Sequence, residues 1–383
     1  MQQPKVIKQA FQVSITFDLL FTSHVFQVEN KTLLEVIKRE NQKTKAFVVI
    51  DSGVVTAHPS IIENIQHYFK SYSTYLLLVG NPLEIPGGEH AKNDASYINT
   101  ILENVNTHAI DRHSYIIAIG GGAVLDAVGY AAAIAHRGVR LVRIPTTILS
   151  QNDSGIGVKN GINFFNKKNF VGTFAAPYAV INDDAFLTTL NDRDWRSGIS
   201  EAIKVALIKD YAFFEWIEAH ANELNLRDRD TMNALIFKCA DMHLKHIQHS
   251  GDAFEQGSSR PLDFGHWAAH KLEQISKFEI RHGEAVAMGI ALDSTYSYLK
   301  GYIGQNDLNR ILNVIINLGF TITFNIEAEN LINGLEEFRE HLGGTLTIML
   351  LKALGEGFEV NHMDTHLVGN AINYLNTYSK SLY

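Results

Sequence analysis

Four short apolar runs punctuate the first half of the chain: Ala46-Phe47-Val48-Val49-Ile50, Thr74-Tyr75-Leu76-Leu77-Leu78-Val79, Tyr115-Ile116-Ile117-Ala118-Ile119, and Val139 to Ile144. They are continuous rather than alternating and rich in β-branched residues. Strands buried on both faces read this way, so the runs predict a parallel sheet with helical crossovers. Ligands bind at the carboxyl ends of such strands; Asp51 closes the first run, and Glu89 and Lys92 follow the second. From about Thr188 the texture changes to helical periods: Ser197 to Ala219, Thr231 to Gln248, a segment from about Gly265, and His282 to Lys300. Thr231 reads as an N-cap and Gly301 as a helix stop. The pattern predicts an α/β fold: a Rossmann-like parallel-sheet domain over residues 1–187, then a mainly α-helical domain over 188–383.

The third run ends in Gly120-Gly121-Gly122-Ala123-Val124-Leu125-Asp126. A strand that stops in glycines and restarts as a helix leaves backbone N–H groups bare at a positive helix end, which suits a diphosphate. A tight turn explains the glycines equally well, since neither G-x-G-x-x-G nor a Walker loop is present. The bulk numbers narrow the classes. With 383 residues, 46% hydrophobic and 19% charged, the chain is globular and long enough for two domains. A net charge of −8 without a basic block gives nucleic acid no electrostatic footprint. The most apolar window, Tyr115 to Ala135, contains Asp126 and several glycines, so a buried strand and helix fit it better than a membrane span. Ser14, Thr16 and Asp18 interrupt any signal-peptide core, and Cys239 has no second cysteine to pair with, so a cytoplasmic enzyme is expected.

His266, His270 and His282, together with Glu201, are the most suggestive chemical group, because imidazole and carboxylate suit zinc or a similar divalent ion. Most of the 17 histidines are expected to be solvated or packed, but these three cluster near Gly265 and Gly283. His243, His246 and His249 read as a wet helical face. Glu201 and Lys204 project together from one helix. They are either a surface pair or, given the apolar run Ile199 to Ile208, a buried carboxylate that needs a cation. The stretch Asn152 to Gly161, followed by Lys167-Lys168-Asn169, suits an anionic substrate or is a glycine-rich hairpin with solvated lysines.

Further motifs stand in order between these: Gly88-Glu89-His90-Ala91-Lys92, His136-Arg137-Gly138, Ile144-Pro145-Thr146-Thr147, Asp153 with Lys159, Phe186-Leu187-Thr188-Thr189-Leu190, Glu201-Ala202-Ile203-Lys204, Phe264-Gly265-His266 and His282-Gly283-Glu284. On these motifs the chain resembles 3-dehydroquinate synthase and its relatives, the sugar phosphate cyclases, over nearly its whole length. The resemblance implies NAD on the first domain, lined by Asp51, Glu89, Lys92, Gly121, Gly122, Asp126, Thr146, Thr147, Lys168 and Thr189. It implies a divalent metal, zinc or cobalt, on Glu201, His266 and His282. It places Asp153, Lys159, Asn169, Lys204, Lys245 and His270 against a sugar phosphate substrate. Arg137 is implied at the phosphate of a neighbouring subunit's substrate, hence a homodimer. The implied chemistry is transient oxidation of a secondary alcohol, elimination of phosphate, return of the hydride and closure of a six-membered carbocycle.

Departures from that pattern bear on the substrate. Where 3-dehydroquinate synthases carry a carboxylate-binding arginine this chain has Ser259, with Arg260 one residue out of register, and Asp263 replaces an asparagine. An aspartate repels a substrate carboxylate, and a shifted guanidinium fork cannot clamp one. The glycines at Gly343-Gly344, in place of paired lysines, resemble the cyclases of sedoheptulose 7-phosphate, although His270 stands where the valiolone-forming ones usually carry Ser-Pro. The expected activity is cyclisation of sedoheptulose 7-phosphate to a valiolone-type cyclitol. A divergent 3-dehydroquinate synthase in which Arg260 swings in is the alternative. A glycerol dehydrogenase-like alcohol dehydrogenase comes third, since Lys159, Lys168, Lys204 and Lys245 are more cations than a small polyol requires.

Overall fold

The computed structural model describes residues 6–40, 42–165, 167–249, 261–277, 279–341 and 344–381. The strands of the first half are β1 Asp18–Thr22, β2 Thr44–Asp51, β3 Leu76–Leu78, β4 Leu83–Ile85, β5 Tyr115–Gly120, β6 Arg140–Pro145, β7 Lys159–Phe164, β8 Lys167–Phe174 and β9 Ala179–Asp183. Seven of them make a parallel sheet in the order β1-β9-β6-β5-β2-β3, with β4 pairing the far end of β2. Strands β7 and β8 form a separate antiparallel hairpin.

Both faces of this sheet are covered, which is why its strands read as unbroken apolar runs. Val48, Ile50, Ile117 and Ile119 pack on one face with helix α1, Ile61–Ser71. Phe47, Val49, Ile116 and Ala118 pack on the other with α2, Ala95–Thr107, and α3, Gly122–Ile134. From β2 the chain runs outward to β3 and β4. It then returns across β2 to β5 and continues the opposite way through β6 to β9. The order reverses between β2 and β5, so the ends of these two strands flank the crevice where open α/β sheets take ligands. Ile50 pairs with Ile119, which brings Asp51 and Gly120 to that crevice side by side.

The second half holds α4 Asp192–Lys209, α5 Arg229–His249, α6 His266–Ile275, α7 His282–Leu299, α8 Gln305–Asn317, α9 Ala328–His341 and α10 Thr365–Lys380, plus a hairpin of β10 Ile348–Ala353 and β11 Glu356–Val360. α7 is buried over most of its circumference and forms the axis of one large apolar cluster. The division drawn at residue 187 falls in the short 3-10 segment Asp184–Thr189.

The local chemistry refines several expectations. The helix expected from Ser197 to Ala219 breaks at Asp210, whose extended backbone ends α4 and whose carboxylate accepts the Phe213 N–H of the next helix. Thr231 is not the N-cap of α5: Asp228 Oδ1 accepts both the Thr231 N–H at 2.8 Å and its hydroxyl at 2.6 Å. Gly301 adopts φ +77° just after α7, a stop that favours glycine. Among the described residues no helix is long and apolar enough to cross a membrane.

Candidate active site

At the switch point the backbone crowds one carboxylate. Asp51 accepts the Gly53 N–H at 2.7 Å, and burial pushes its carboxyl up although N–H groups of Gly53, Val54 and Gly121 favour the charged form. A Cβ added to Gly87 would lie 2.5 Å from Asp51 Oδ2, and one on Gly120 would lie 2.8 Å from Val124 Cγ1. Glycine is therefore a packing requirement at both positions. Gly121 is extended and precedes α3, whose first N–H groups lack intrahelical partners. Bare N–H groups beside a carboxylate suit an anion and a hydroxyl, the chemistry of a dinucleotide's diphosphate and ribose.

Some of the remaining residues assigned to the cofactor are laced to the β7–β8 hairpin and others are held within the first domain. Lys92 Nζ lies 2.7 Å from Asp126 and also bonds the side chain of Asn169; Glu89 accepts from Asn163 at 2.7 Å. Thr146 is buried with its N–H on Gly120 O at 3.0 Å, and the Thr147 and Ser150 hydroxyls lie 2.8 Å apart. Thr189 Oγ1 is 2.9 Å from His58 Nε2.

Across the cleft, α4, α6 and α7 converge three ligand atoms. Glu201 is fully buried, with Oε1 3.6 Å from His266 Nε2 and 3.5 Å from His282 Nε2. One ligand atom from each residue lies within 4.8 Å of the others. Neither carboxylate oxygen accepts a well-formed hydrogen bond among the described residues, although the Lys204 ammonium lies against Oε2. Burial opposes the charge on Glu201, yet Lys204, His266 and His282 hold its carboxyl well below the usual range. Lys204 is pushed up to about 12 because Glu201 and Asp153 outweigh burial. A buried carboxylate without hydrogen bonds, facing two imidazole nitrogens, fits a tetrahedral divalent ion with an open position.

Three residues that the sequence reading did not place in the site support this group. Glu273, buried on α6, accepts from His282 Nδ1 at 3.2 Å and from Lys168 Nζ at 2.9 Å. It thus ties an imidazole of the candidate triad to the hairpin of the first domain, and Lys168 also lies 3.8 Å from Glu89. Its place seven residues after His266 puts it on the same helical face as His266 and His270, a signal present in the sequence. Asp293 is buried on α7 and accepts from Gly265 N at 3.0 Å and Trp267 Nε1 at 2.9 Å, clamping both neighbours of His266; burial pushes its carboxyl up to about 7. His243 corrects the wet-face reading: it is mostly buried, with Nδ1 2.7 Å from Asp153 Oδ1, because α5 packs its face on the Ser150–Ser154 turn.

The other assigned residues divide. His270 is exposed, its ring 5.7 Å from that of His266 and 6.3 Å from that of His282. Lys159 starts the hairpin and is exposed. Lys245 is exposed and paired with Asp241 at 2.7 Å, so it is not drawn to the triad here. Arg137 is exposed beyond α3 with φ +62°. Ser259, Arg260 and Gly343 lie outside the described residues.

Burial disfavours the imidazolium of His282, but Glu201 and Glu273 outweigh it and push the ring up to about 9. A metal takes only the neutral ring, so at pH 7 binding is expected to release close to one proton and to tighten as pH rises toward 9. Calorimetric zinc titrations in two buffers of different ionisation heat check this; equal heats in both would contradict it.

Models of the 3-dehydroquinate synthase N-terminal and C-terminal regions match residues 82–197 and 198–339. A 3-dehydroquinate synthase from Nitrosospira multiformis is 37% identical over 280 residues, 73% of this chain and 76% of its own length. Among solved structures, the 2-epi-5-epi-valiolone synthase of Streptomyces hygroscopicus, with NAD+ and Zn2+ bound, superposes with a TM-score of 0.87 at 26% identity over 97% of this chain and 100% of its own. A 2-deoxy-scyllo-inosose synthase, complexed with carbaglucose-6-phosphate, NAD+ and Co2+, shares the fold with a TM-score of 0.77 at 21% identity over 94% and 96% of the two chains.

Proposed function

Since this chain belongs to the 3-dehydroquinate synthase family of sugar phosphate cyclases, we propose that it eliminates phosphate from sedoheptulose 7-phosphate and closes a valiolone-type carbocycle. The observation that carries the choice of sugar is an acidic residue, Asp263, close to the triad. Asp263 lies in the 3-10 turn just ahead of His266 and within electrostatic reach of Lys204. Burial and Asp263 together push the carboxyl of Glu359, on β11, up. A substrate carboxylate placed there meets like charge, whereas a hydroxymethyl head finds acceptors. The family's named relatives favour the second reading, a 3-dehydroquinate synthase acting on the corresponding heptulosonate phosphate.

In this reading Glu201, His266 and His282 hold a zinc or cobalt ion, and the crevice at Asp51, Gly121 and Gly122 holds NAD. When bound, these supply Lewis-acid polarisation of substrate oxygens and reversible hydride acceptance. The chain's own groups do the rest. Lys204 and Lys159 offset charge that develops on oxygen, His270 and Asn169 hold the phosphate end, and Asp153 orients a hydroxyl. The Lys168–Glu273–His282 series aligns the ligand imidazole with the hairpin. Arg137 reaches the phosphate of a second copy's substrate, making the functional unit a soluble homodimer. We place the enzyme among the phosphorus–oxygen lyases of the cytoplasm.

Cyclisation is redox-neutral, so phosphate release from sedoheptulose 7-phosphate is expected without a lasting rise in absorbance at 340 nm. Accumulation of about one NADH per substrate would instead mark an alcohol dehydrogenase.

A further inference from the structure

We propose that His243 is a positioning residue for substrate recognition, its imidazole fixing Asp153 so that one carboxylate oxygen is left to accept a sugar hydroxyl. The inference rests on the reading of the cleft as a sugar phosphate site. His243 Nδ1 stands 2.7 Å from Asp153 Oδ1, an ion-pair contact rather than a well-formed hydrogen bond among the described residues, with side-chain exposures of 12% and 21%. One of two such atoms must carry a proton. Burial opposes the charge on Asp153, but His243 and Lys204 hold its carboxyl low despite the nearby Glu201, so the proton belongs on Nδ1.

The surroundings leave Asp153 dependent on this ion-pair contact. Its turn, Ser150–Ser154, is pinned through neighbouring side chains. Asn152 donates to Gly198 O at 2.7 Å, Gln151 to Pro145 O at 3.1 Å and Asp183 O at 2.9 Å, and Ser150 is bonded to Thr147. The backbone is thereby set while the carboxylate still has to be aimed. The other cation close to Asp153 is Lys204, which already lies against Glu201. Without His243, Asp153 would turn toward Lys204, draw it from Glu201 and lose the orientation that meets a hydroxyl. A Cβ on Gly157 would sit 3.8 Å from His243 Nε2, so the loop covers the ring from the far side.

Two readouts test this. In holoenzyme loaded with NAD and zinc, long-range 1H–15N correlation should show the His243 ring protonated on Nδ1. That signal is assigned by its loss in His243→Asn, and it should revert to the Nε2-protonated form in Asp153→Asn. In kinetics, His243→Ala should raise KM about 10-fold or more for whichever heptulose phosphate the wild type turns over, with a smaller change in kcat. His243→Asn, whose amide nitrogen falls close to the place of Nδ1, should recover most of the loss. Unchanged melting temperature and NAD affinity in His243→Ala would exclude a folding defect. An Nε2-protonated ring in the wild type, or an unchanged KM in His243→Ala, would overturn the inference. Failure of the wild type to turn over either sugar phosphate would count against the functional reading alone, since the tautomer decides the pairing without turnover.

Discussion

Glu201→Gln is expected to abolish tight metal binding and to lower phosphate release by about 10³-fold or more, the several kcal/mol that a Lewis acid contributes to such a transition state. Glu201 is fully buried and is the carboxylate that faces both imidazoles and the Lys204 ammonium. A glutamine keeps the shape, but its single carbonyl oxygen carries no charge, and its amide hydrogens point donors where lone pairs are needed. Lys204 would stay buried without its main counter-charge, a loss of about 3–5 kcal/mol for a broken buried pair. Two measurements check the result: zinc affinity by competition with a chelator, and unfolding free energy of the metal-free protein. Wild-type zinc affinity in Glu201→Gln would show that the triad is not the metal site.

The second large effect runs the other way on metal. In Lys204→Met, Glu201 loses the cation that offsets its burial, so the metal-free protein is expected to lose about 3–5 kcal/mol of stability. A bound divalent ion restores that charge balance. The rise in melting temperature on adding zinc should therefore be larger in Lys204→Met than in the wild type, because whatever binds only the native state stabilises it by mass action. Activity should still fall by about 10²–10³-fold, the usual loss when a preorganised charge at a reacting oxygen is removed. Equal stability of the metal-free forms would show that the Lys204–Glu201 pair does not hold the site together.

Much of this was legible in the chain, and the reason is physical. Strands buried on both faces cannot hide their pattern, so β2, β5 and β6 were visible as apolar runs, with Asp51 and Gly120 marking their ends. β1, β4 and β9 were not, being three to five residues long and partly polar. Histidines and a glutamate are chemically conspicuous, so Glu201, His266, His270 and His282 stand out as a group, and the family resemblance narrows them to the triad. Glu273 and Asp293 were missed because their roles come from tertiary contacts, with Lys168 in another domain and with backbone and indole N–H groups near His266. His243 was misread for a related reason: the polar residues around it suggested solvent, whereas α5 lays this one turn against Asp153. The choice between a neutral and a carboxylated sugar rests on Ser259, Asp263 and Gly343, of which Asp263 alone lies among the described residues.

That choice is best tested by offering the NAD- and zinc-loaded enzyme an equimolar mixture of sedoheptulose 7-phosphate and 3-deoxy-arabino-heptulosonate 7-phosphate, and following the loss of each as phosphate is released. Asp263, just ahead of His266, leads to consumption of the sedoheptulose phosphate, with the heptulosonate left at least about 100-fold behind in kcat/KM, as expected when a site sets like charge against a substrate carboxylate. Preferential consumption of the heptulosonate would contradict the account and make the protein a 3-dehydroquinate synthase in activity as well as in family.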